Sequence, residues 1–207
     1  MLDLLFNPDA FFRERAENPG LVPSVALLVL VGLVGVAGTL PALQATIDAL
    51  PQEAQAFGTI SLVVGSAFAF LGPFVRWVLY AAAFHVLSSV VYDAERGSFR
   101  DLLALVGWGF VPALLAAIVS AVVATVVFSG VTFPSDPQQV AQFSQQLRNR
   151  PEFLVASVLG IAFLLWSAFL WTFAVKHVRD LTMREAGVVV GVPVALGLVF
   201  RVWGVVI

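Results

Sequence analysis

Two ionisable side chains lie within long apolar stretches of the sequence, where a charged group can contact a ligand or carry a proton. Arg76 lies in the apolar run of residues 58–92, close behind Pro73. A charge at mid-bilayer costs roughly 3 kcal/mol or more, so such a residue is usually functional or displaced toward an interface. Two interpretations of Arg76 follow: contact with an anion or a lipid headgroup, or a side chain that snorkels to the outer headgroups.

His85 lies deeper in the same apolar run, and Ser88 and Ser89 follow it by about one helical turn. A serine hydroxyl on the same helix face could satisfy one ring nitrogen. The residue is therefore interpreted either as a hydrogen-bonded packing histidine or as a protonation switch. Arg76 and His85 are nine positions apart, which places them on opposite faces of a regular helix, so a relay between them is not expected.

Other chemistry is poorly represented in this sequence. It has no HExxH, no GxSxG, no phosphate-binding glycine loop and no pair of carboxylates inside an apolar stretch. It also has no cysteine, which excludes disulfides, thiolate metal sites and thiol nucleophiles. We therefore expect a non-enzymatic protein without a metal or a cofactor. The net charge of −2 gives no basic surface for nucleic acid.

The composition is that of a membrane protein. Hydrophobic residues make up 60% of the chain and charged residues only 12%, more apolar surface than a soluble domain of this size can bury. The pattern predicts an all-α polytopic protein, a bundle of five transmembrane helices, each long enough to cross about 30 Å of hydrocarbon. The lipid bilayer is its expected surroundings. The predicted spans are residues 21–40, 73–92, 101–128, 153–175 and 186–207.

Two parts of the chain are predicted to lie outside these spans or to extend them. Residues 58–71 precede Gly72 and Pro73 and are expected to form a half-helix or an outward extension of span two. Residues 1–20 are expected to form an amphipathic helix in the interface plane, capped by Asn7, or else a loosely tethered tail.

A polar segment between spans three and four is expected to contain a surface helix, Pro137 to Leu147. Ser135 or Asp136 would cap it. Its apolar residues Val140, Phe143 and Leu147 fall on one helical face.

Basic residues predict the orientation, because cytoplasmic loops are enriched in arginine and lysine. With five spans, the N-terminal segment and the loops after spans two and four lie on one side, and we expect the N-terminus in the cytoplasm and the C-terminus outside the cell membrane. Each of these two loops also carries a capping box at the start of the next span. The basic residues of the three segments are Arg13, Arg15, Arg96, Arg100, Lys176, Arg179 and Arg184.

The start of span three, SFRDLLALVGWGFVP, combines two small residues, a large aromatic and a proline. Gly107 and Gly109 are expected where another helix, span two or the last span, comes close to span three. Pro112 removes a backbone donor and predicts a local bend that directs Trp108 along the cytoplasmic third of the bundle. The alternative is an ordinary membrane helix that is loosely packed and slightly kinked.

Glycine spacing also predicts helix contacts in the first and the last span. Gly32, Gly35 and Gly38 leave one stripe of span one nearly smooth, which suits the close approach of a neighbour. Gly187 and Gly191 form a GxxxG pair in the last span. This pair is interpreted as an intramolecular packing face or as the face of a homodimer.

With these elements in order, the whole chain resembles the Ypt-interacting-protein (YIP) family of integral membrane proteins, in its prokaryotic form. The family often has tyrosine where this chain has Trp108. The Asp-Leu-Tyr-Gly-Pro motif of eukaryotic members is absent, so the small-GTPase partner that the resemblance suggests for them is not expected here. The resemblance is carried by the segments NPDAFF, GPFVRWVLYAAAFHVLSSVV, GSFRDLLALVGWGFVP and VKHVRDLTMREA.

Two functions from different classes remain at this point. The resemblance implies a non-enzymatic scaffold or membrane-organising protein, with other membrane proteins or a second copy of the chain as partners. Arg76, His85 and the interrupted second apolar run instead favour a transporter or channel for a small solute, an ion or a lipid.

Overall fold

The computed structural model describes residues 2–48, 50–134 and 137–206, and every regular element within these ranges is helical. This confirms the all-α class. A short 3-10 turn, Gln52–Ala54, precedes the fourth helix. The helices are α1 Leu2–Phe6, α2 Pro8–Ala16, α3 Leu21–Asp48, α4 Gln55–Tyr92, α5 Phe99–Trp108, α6 Val111–Phe128, α7 Pro137–Arg148, α8 Pro151–Arg179 and α9 Met183–Val206.

Four helices in the described part of the chain, α3, α4, α6 and α8, are long and apolar enough to cross a membrane. The protein is therefore a multi-pass membrane protein, as the composition predicts. The predicted fifth span corresponds to α9, which has 24 residues and begins with the charged residues Arg184 and Glu185 in its first turn. At 1.5 Å per residue a helix of this length reaches about 36 Å, enough for one crossing.

The helices divide into two compact units. The first unit comprises Met1–Leu28, Phe74–Ala113 and Ile161–Ile207, and the second comprises Val29–Pro73 and Leu114–Gly160. The first unit contains a densely buried core. Its largest fully buried side chains include Phe11, Phe12, Phe84, Leu102, Leu105, Leu170 and Trp171.

The second unit is held by close helix approaches at the glycines of α3. A Cβ added at Gly32 would lie 2.8 Å from the carbonyl oxygen of Phe70 on α4. One added at Gly38 would lie 3.1 Å from the Cα of Ala121 on α6. Apolar burial gives little drive for helix association in lipid, so these helices depend on close packing. Larger residues at the two positions would push the helices apart and weaken that packing.

Two apolar helices are longer than the sequence predicts, and both continue through a proline. Helix α3 passes Pro41 and ends at Asp48, beyond the expected boundary near residue 40. Helix α4 passes Pro73 without interruption and has 38 residues, so residues 58–71 extend span two and do not form a separate half-helix. Proline removes only one backbone hydrogen bond, and membrane helices tolerate it where their neighbours remain apolar and packed.

Span three differs from the expected kinked helix, because it consists of two helices, α5 and α6. The amides of Gly109 and Phe110 donate to the carbonyls of Val106 and Gly107, both at 3.1 Å, which closes a tight turn in place of the regular helical bonds. Pro112 is the second residue of α6, where its missing N–H leaves no helical bond unmade. The expected bend is therefore a break.

The N-terminal helices belong to the core of the first unit. Asn7 caps α2 as predicted, with its side-chain oxygen accepting from the amide of Ala10 at 3.4 Å. Phe11 and Phe12 are 2% and 0% exposed, and the ring of Phe11 meets that of Trp108 edge-on at 5.2 Å. These two rings contact protein, contrary to the loose tail expected from the sequence. The position of the segment in the interface plane stays a prediction.

Helix α7 forms where the polar segment predicts it. The expected caps Ser135 and Asp136 lie outside the described residues, as does the side chain of Val140. Phe143 meets the ring of Phe133 edge-on at 5.3 Å, and Leu147 is buried. The apolar face of α7 is thus packed within the second unit.

Candidate functional site

A buried arginine organises one end of the first unit. Arg179, the last residue of α8, is 3% exposed, and each of its five N–H groups donates to a protein oxygen. No carboxylate is among these acceptors, so the charge is stabilised by hydroxyl and carbonyl dipoles. The acceptors are the hydroxyls of Ser88 (2.9 Å) and Ser89 (2.6 Å) and the carbonyls of Ala94, Arg96 (2.7 Å) and Gly97 (2.6 Å). We call Arg179 with these five residues the arginine cluster.

The ends of α4 and α8 position this cluster. Each helix is followed by an aspartate in the left-handed region, Asp93 with φ of +49° and Asp180 with φ of +55°. A left-handed residue stops a helix sharply and turns the chain back toward its last carbonyls. After Asp93, the amide of Ala94 donates to the carbonyl of Ser88 at 3.2 Å. The connection from α4 to α5 is thereby folded back over the guanidinium of Arg179.

Gly97 permits the close passage of this connection over α8. Its φ is +71°, and an added Cβ would lie within van der Waals overlap of the Val178 carbonyl oxygen. Both facts demand glycine, because a side chain would be strained by the backbone conformation and blocked by the neighbouring helix. The requirement at Gly97 explains how the carbonyls of Arg96 and Gly97 reach Arg179.

A second set of contacts ties the N-terminal helix α2 to α8. The Asp9 carboxylate lies 2.5 Å from the Lys176 ammonium and 3.0 Å from His177 Nε2. The hydrogen bond from Lys176, followed by that from His177, lowers the pKa of Asp9 below its usual range. Arg96 also lies 2.5 Å from Asp180, but this pair is largely exposed and contributes little stability.

These contacts bring three separate parts of the chain together at one end of the first unit. They are the N-terminal helix through Asp9, the α4–α5 connection through Arg96 and Gly97, and the end of α8 through Lys176 and Arg179. The same three parts carry the basic residues that the sequence placed on one side of the membrane. Because these three parts of the chain are in contact, the chain must cross the membrane an even number of times between any two of them.

The two predicted capping boxes are present at this end. At the start of α5, the amide of Asp101 donates to the Ser98 hydroxyl at 3.2 Å, and the Ser98 amide donates to the Asp101 carboxylate at 3.0 Å. At the start of α9, Thr182 and Glu185 exchange the corresponding bonds at 3.3 and 2.9 Å.

Both glycines of span three face protein, but not the helices expected from the sequence. A Cβ at Gly107 would lie 2.2 Å from the Cβ of Ser24 on α3, and one at Gly109 would lie 2.2 Å from the Trp171 ring on α8. The neighbours are thus the first and fourth spans. The expectation of span two or the last span was wrong.

Three side chains from three different helices donate to backbone carbonyls of α5, a feature that the sequence reasoning missed. Because α5 already satisfies most of its carbonyls internally, each of these is an additional bond that fixes the helix laterally. The only advance signal was that buried tryptophan usually finds a partner for its N–H. The bonds run from Ser24 to Ala104 (2.5 Å), from Trp77 to Leu103 (2.8 Å) and from Trp171 to Val106 (2.9 Å).

The two ionisable residues singled out from the sequence occupy different surroundings. Arg76 is exposed, beside the buried Trp77. His85 is half-buried, with its ring edge-on to Phe99 at 5.7 Å. The Ser88 hydroxyl lies 3.0 Å from the backbone carbonyl of His85 and not beside the ring, and Nδ1 of His85 is buried without a hydrogen-bond partner in the described part of the chain. The expected serine–imidazole bond is absent there.

The GxxxG pair of α9 is not an intramolecular packing face. No described atom lies within 4 Å of a Cβ added at Gly187 or Gly191. Helix α9 instead approaches α4 at Gly197, where an added Cβ would lie 3.0 Å from the Tyr80 hydroxyl. The homodimer interpretation of the GxxxG pair stays a prediction.

Two cavities adjoin the arginine cluster. We call the first the His85 cavity; it has a volume of about 430 Å³ and is lined by His85, Ser89, Asp93, Ala94, Glu95, Gly97 and Arg179. The second, of about 380 Å³, is lined by Arg13, Ala16, Glu17, Arg96, Gly97, Asp101, His177 and Val178. Among the described residues, no group of three or more histidine, aspartate or glutamate side chains is placed to hold a metal ion.

Comparison with known proteins gives one family and one relative. A family model described as the Yip1 domain matches residues 2–204. The chain is also similar to an uncharacterized protein of Methanocaldococcus jannaschii, with 25% identity over 121 residues that cover 58% of this chain and 84% of the relative. No solved structure matches significantly.

Proposed function

Since the chain belongs to the Yip1 domain family, we propose that this multi-pass membrane protein of the YIP type is a non-enzymatic scaffold that organises other membrane proteins. The observation that carries the proposal is the arginine cluster. It ties the α4–α5 connection to the end of α8 in one fixed surface, and the adjacent Asp9 contacts add the N-terminal helix. A fixed surface built from several chain segments is what a binding partner can recognise without a conformational cost.

The use of polar groups at this end supports binding more than catalysis. All five N–H groups of Arg179 donate to protein acceptors, and the Asp9 carboxylate accepts from Lys176 and lies 3.0 Å from His177 Nε2. A general acid or base needs a group that can exchange a proton with a substrate. The side chains left exposed at this end are instead charged groups suited to a partner's surface, among them Arg13, Glu14, Glu17, Glu95 and Arg100.

The proposal includes an orientation. We place the end with the arginine cluster on the cytoplasmic side of the cell membrane, with the N-terminus inside and the C-terminus outside. Three basic segments meet there, which agrees with the enrichment of arginine and lysine in cytoplasmic loops. With α9 as the fifth span, the chain ends on the opposite side.

The proposed partners are other membrane proteins or a second copy of this chain. The open face at Gly187 and Gly191 suits a close helix–helix contact from outside the monomer. A small GTPase is not proposed, because the sequence lacks the Asp-Leu-Tyr-Gly-Pro motif of eukaryotic members.

The test is affinity capture of the full chain in a gentle detergent, with partners identified by mass spectrometry. Asp9→Asn weakens the attachment of α2 to α8 and should lower the recovery of partners. Asp3→Asn changes an exposed carboxylate outside these contacts and should not. Failure of the parent chain to retain any partner would contradict the scaffold function.

A transporter or channel is the second candidate, and the His85 cavity is the observation that favours it. The interruption of the second apolar run, which favoured this function in the sequence, is not present in the structure, because α4 is continuous. Flux of small solutes, ions or lipid in purified proteoliposomes, abolished by Arg76→Ala, would establish this function in place of the first.

A further inference from the structure

The exposed surface of α4 is apolar along almost its whole length. Arg76 is the only charged residue between Gln55 and Tyr92. Large apolar side chains are exposed from Phe57 to Val91, and we call them together the α4 surface. Because α4 is one of the helices that can cross the membrane, the α4 surface is what this helix presents to the bilayer.

The α4 surface reaches both ends of the helix. In the first turn Phe57 is 75% exposed, and Ile60 follows at 60%. In the last turn Val90 is 75% exposed, with Val91 at 55%. Apolar side chains of this size are unfavourable in water, so both ends of α4 need an apolar cover.

The two ends are too far apart for an average bilayer. The 33 positions from Phe57 to Val90 rise about 50 Å along the helix. Transmembrane helices tilt by at most about 40°, which still leaves a rise of about 38 Å along the bilayer normal. This limit applies to each half of α4 separately, so a bend at Pro73 does not change it. The hydrocarbon layer is about 30 Å thick, so about 8 Å or more of apolar helix would stand outside it.

Arg76 does not prevent lipid from covering α4 on both sides of it. Its side chain is exposed but interacts with another group of the protein. Arginines inside membrane helices are found in this form, paired with other side chains or with backbone carbonyls. Arg76 therefore does not mark the place where α4 leaves the hydrocarbon.

The α4 surface fits lipid better than it fits another helix. Helices associate in the bilayer through small residues that permit close approach. Two such residues of α4 already face α3: an added Cβ would lie 2.9 Å from Ile47 at Gly58, and 3.8 Å from Leu43 at Gly65. The α4 surface consists of large side chains instead, as flexible acyl chains can cover.

We propose that the α4 surface selects long-chain phospholipids, which thicken the hydrocarbon layer around the protein toward about 38 Å. A helix longer than the layer carries a cost for every ångström of mismatch, and longer acyl chains reduce that cost. This inference rests on the crossing of the membrane by α4 and is independent of the scaffold function.

The experiment measures lipid retention by native mass spectrometry. The full chain is purified from nanodiscs that contain equal amounts of dimyristoleoyl and dierucoyl phosphatidylcholine, which share a headgroup and differ in chain length. The parent should retain the long-chain lipid about tenfold over the short-chain lipid. Equal retention of the two lipids by the parent would overturn the proposal.

A double variant tests whether the length of the apolar surface causes this preference. Phe57→Gln/Ile60→Gln makes the first turns of α4 polar, so a thinner layer suffices and the preference should fall about threefold or more. The matched control Phe57→Leu/Ile60→Leu changes the same two positions but keeps them apolar, and it should retain the parent's preference. An unchanged preference in the glutamine variant would overturn the role of the α4 surface.

A second measurement does not depend on the polar variant. Ile60→Cys and Val90→Cys, each made singly, are treated with a water-soluble maleimide in nanodiscs of one lipid at a time. Both should be protected in dierucoyl discs, and at least one should react in dimyristoleoyl discs, whereas Gln142→Cys should react in both. Reaction of both cysteines in the long-chain discs would show that the ends of α4 stand in water. Equal protection in the two lipids would show that protein, such as a second copy, covers them. Either result overturns the proposal.

Discussion

The guanidinium of Arg179, at the end of α8, donates its Nε–H to the hydroxyl of Ser88, near the end of α4, at 2.9 Å. Replacement by lysine keeps the charge but supplies three donors where arginine supplies five. At least two charge-assisted bonds are lost, so Arg179→Lys should lower the free energy of unfolding by about 3 kcal/mol. Thermal unfolding in detergent measures the effect. Arg184→Lys, at an exposed position, is the control. Equal melting of the two variants would show that Arg179 does not hold the connections.

The contact between Gly107 and Ser24 predicts a rescue. Gly107→Ala places a methyl group where the Ser24 side chain lies, and overpacking of this kind costs about 2 kcal/mol. Adding Ser24→Gly removes the clash, so the double variant should be more stable than the sum of the single effects predicts. Gly187→Ala, with open space around it, should show no loss. Additive effects of Gly107→Ala and Ser24→Gly would refute the contact.

The lowered pKa of Asp9 predicts a loss of N-terminal attachment in acid. A carboxyl group whose pKa is depressed by folding stabilises the fold fully above its ordinary value, about 4, and loses this effect as the pH falls below that value. Amide hydrogen exchange in α2 should therefore be slower in the parent than in Asp9→Asn at neutral pH, with the two converging in acid. Asp3→Asn should follow the parent at every pH. A constant difference between parent and Asp9→Asn would rule out this titration.

The local features of this site could be predicted from sequence, because their partners are three positions apart. The capping boxes at Ser98 and Thr182 and the cap at Asn7 depend only on backbone geometry at a helix start. A hydroxyl or an amide oxygen at such a position has one nearby donor to meet. Spacing alone then determines the bond.

The contacts of Arg179 could not be predicted in the same way. Ser88 is 91 positions earlier in the chain, and no periodicity in the sequence links the two. From spacing, Arg179 belonged to a basic set that serves orientation, since most loop arginines are solvated. Only the fold shows that the α4–α5 connection passes over the end of α8, as the close approach at Gly97 requires.

The break between α5 and α6 lies between these two cases. Gly109 and Pro112 signal an interruption of the helix but do not say whether it bends or stops. The Trp171 indole, 65 positions away, is a second donor to the Val106 carbonyl, beside the Gly109 amide, and it favours the break by fixing the end of α5. A local signal thus located the feature, and a distant side chain decided its form.

The proposed topology predicts which single cysteines can be labelled from outside the cell. The chain has no cysteine of its own, so each introduced cysteine is the only one that can react. Glu95→Cys and Ser98→Cys lie at exposed positions on the proposed cytoplasmic side, and Gln142→Cys is exposed on α7. A membrane-impermeant maleimide added to intact cells should label only the cysteine on α7. Ser135→Cys, outside the described residues, should behave like it. Equal labelling at Ser98 and Gln142 would eliminate the five-span topology with an internal N-terminus.

The hydrogen bond from Trp171 to Val106 predicts a specific cost for an otherwise conservative change. Trp171→Phe keeps an aromatic ring against Gly109 but removes the N–H donor, which leaves a buried carbonyl at the end of α5 without this partner. The Val106 carbonyl keeps its bond from the Gly109 amide, so the loss is that of one buried hydrogen bond, about 1 kcal/mol. The smaller ring adds a packing loss, so the total should be about 2 kcal/mol by thermal unfolding in detergent. Trp166→Phe, on the same helix and only partly buried, is the matched control for the loss of ring volume and should cost less. Pro112→Ala should cost less than about 1 kcal/mol, because an alanine at the start of α6 needs no new partner. If Trp171→Phe melts like Trp166→Phe, the indole does not support the break, and the separation of α5 from α6 depends on Gly109 and Phe110 alone.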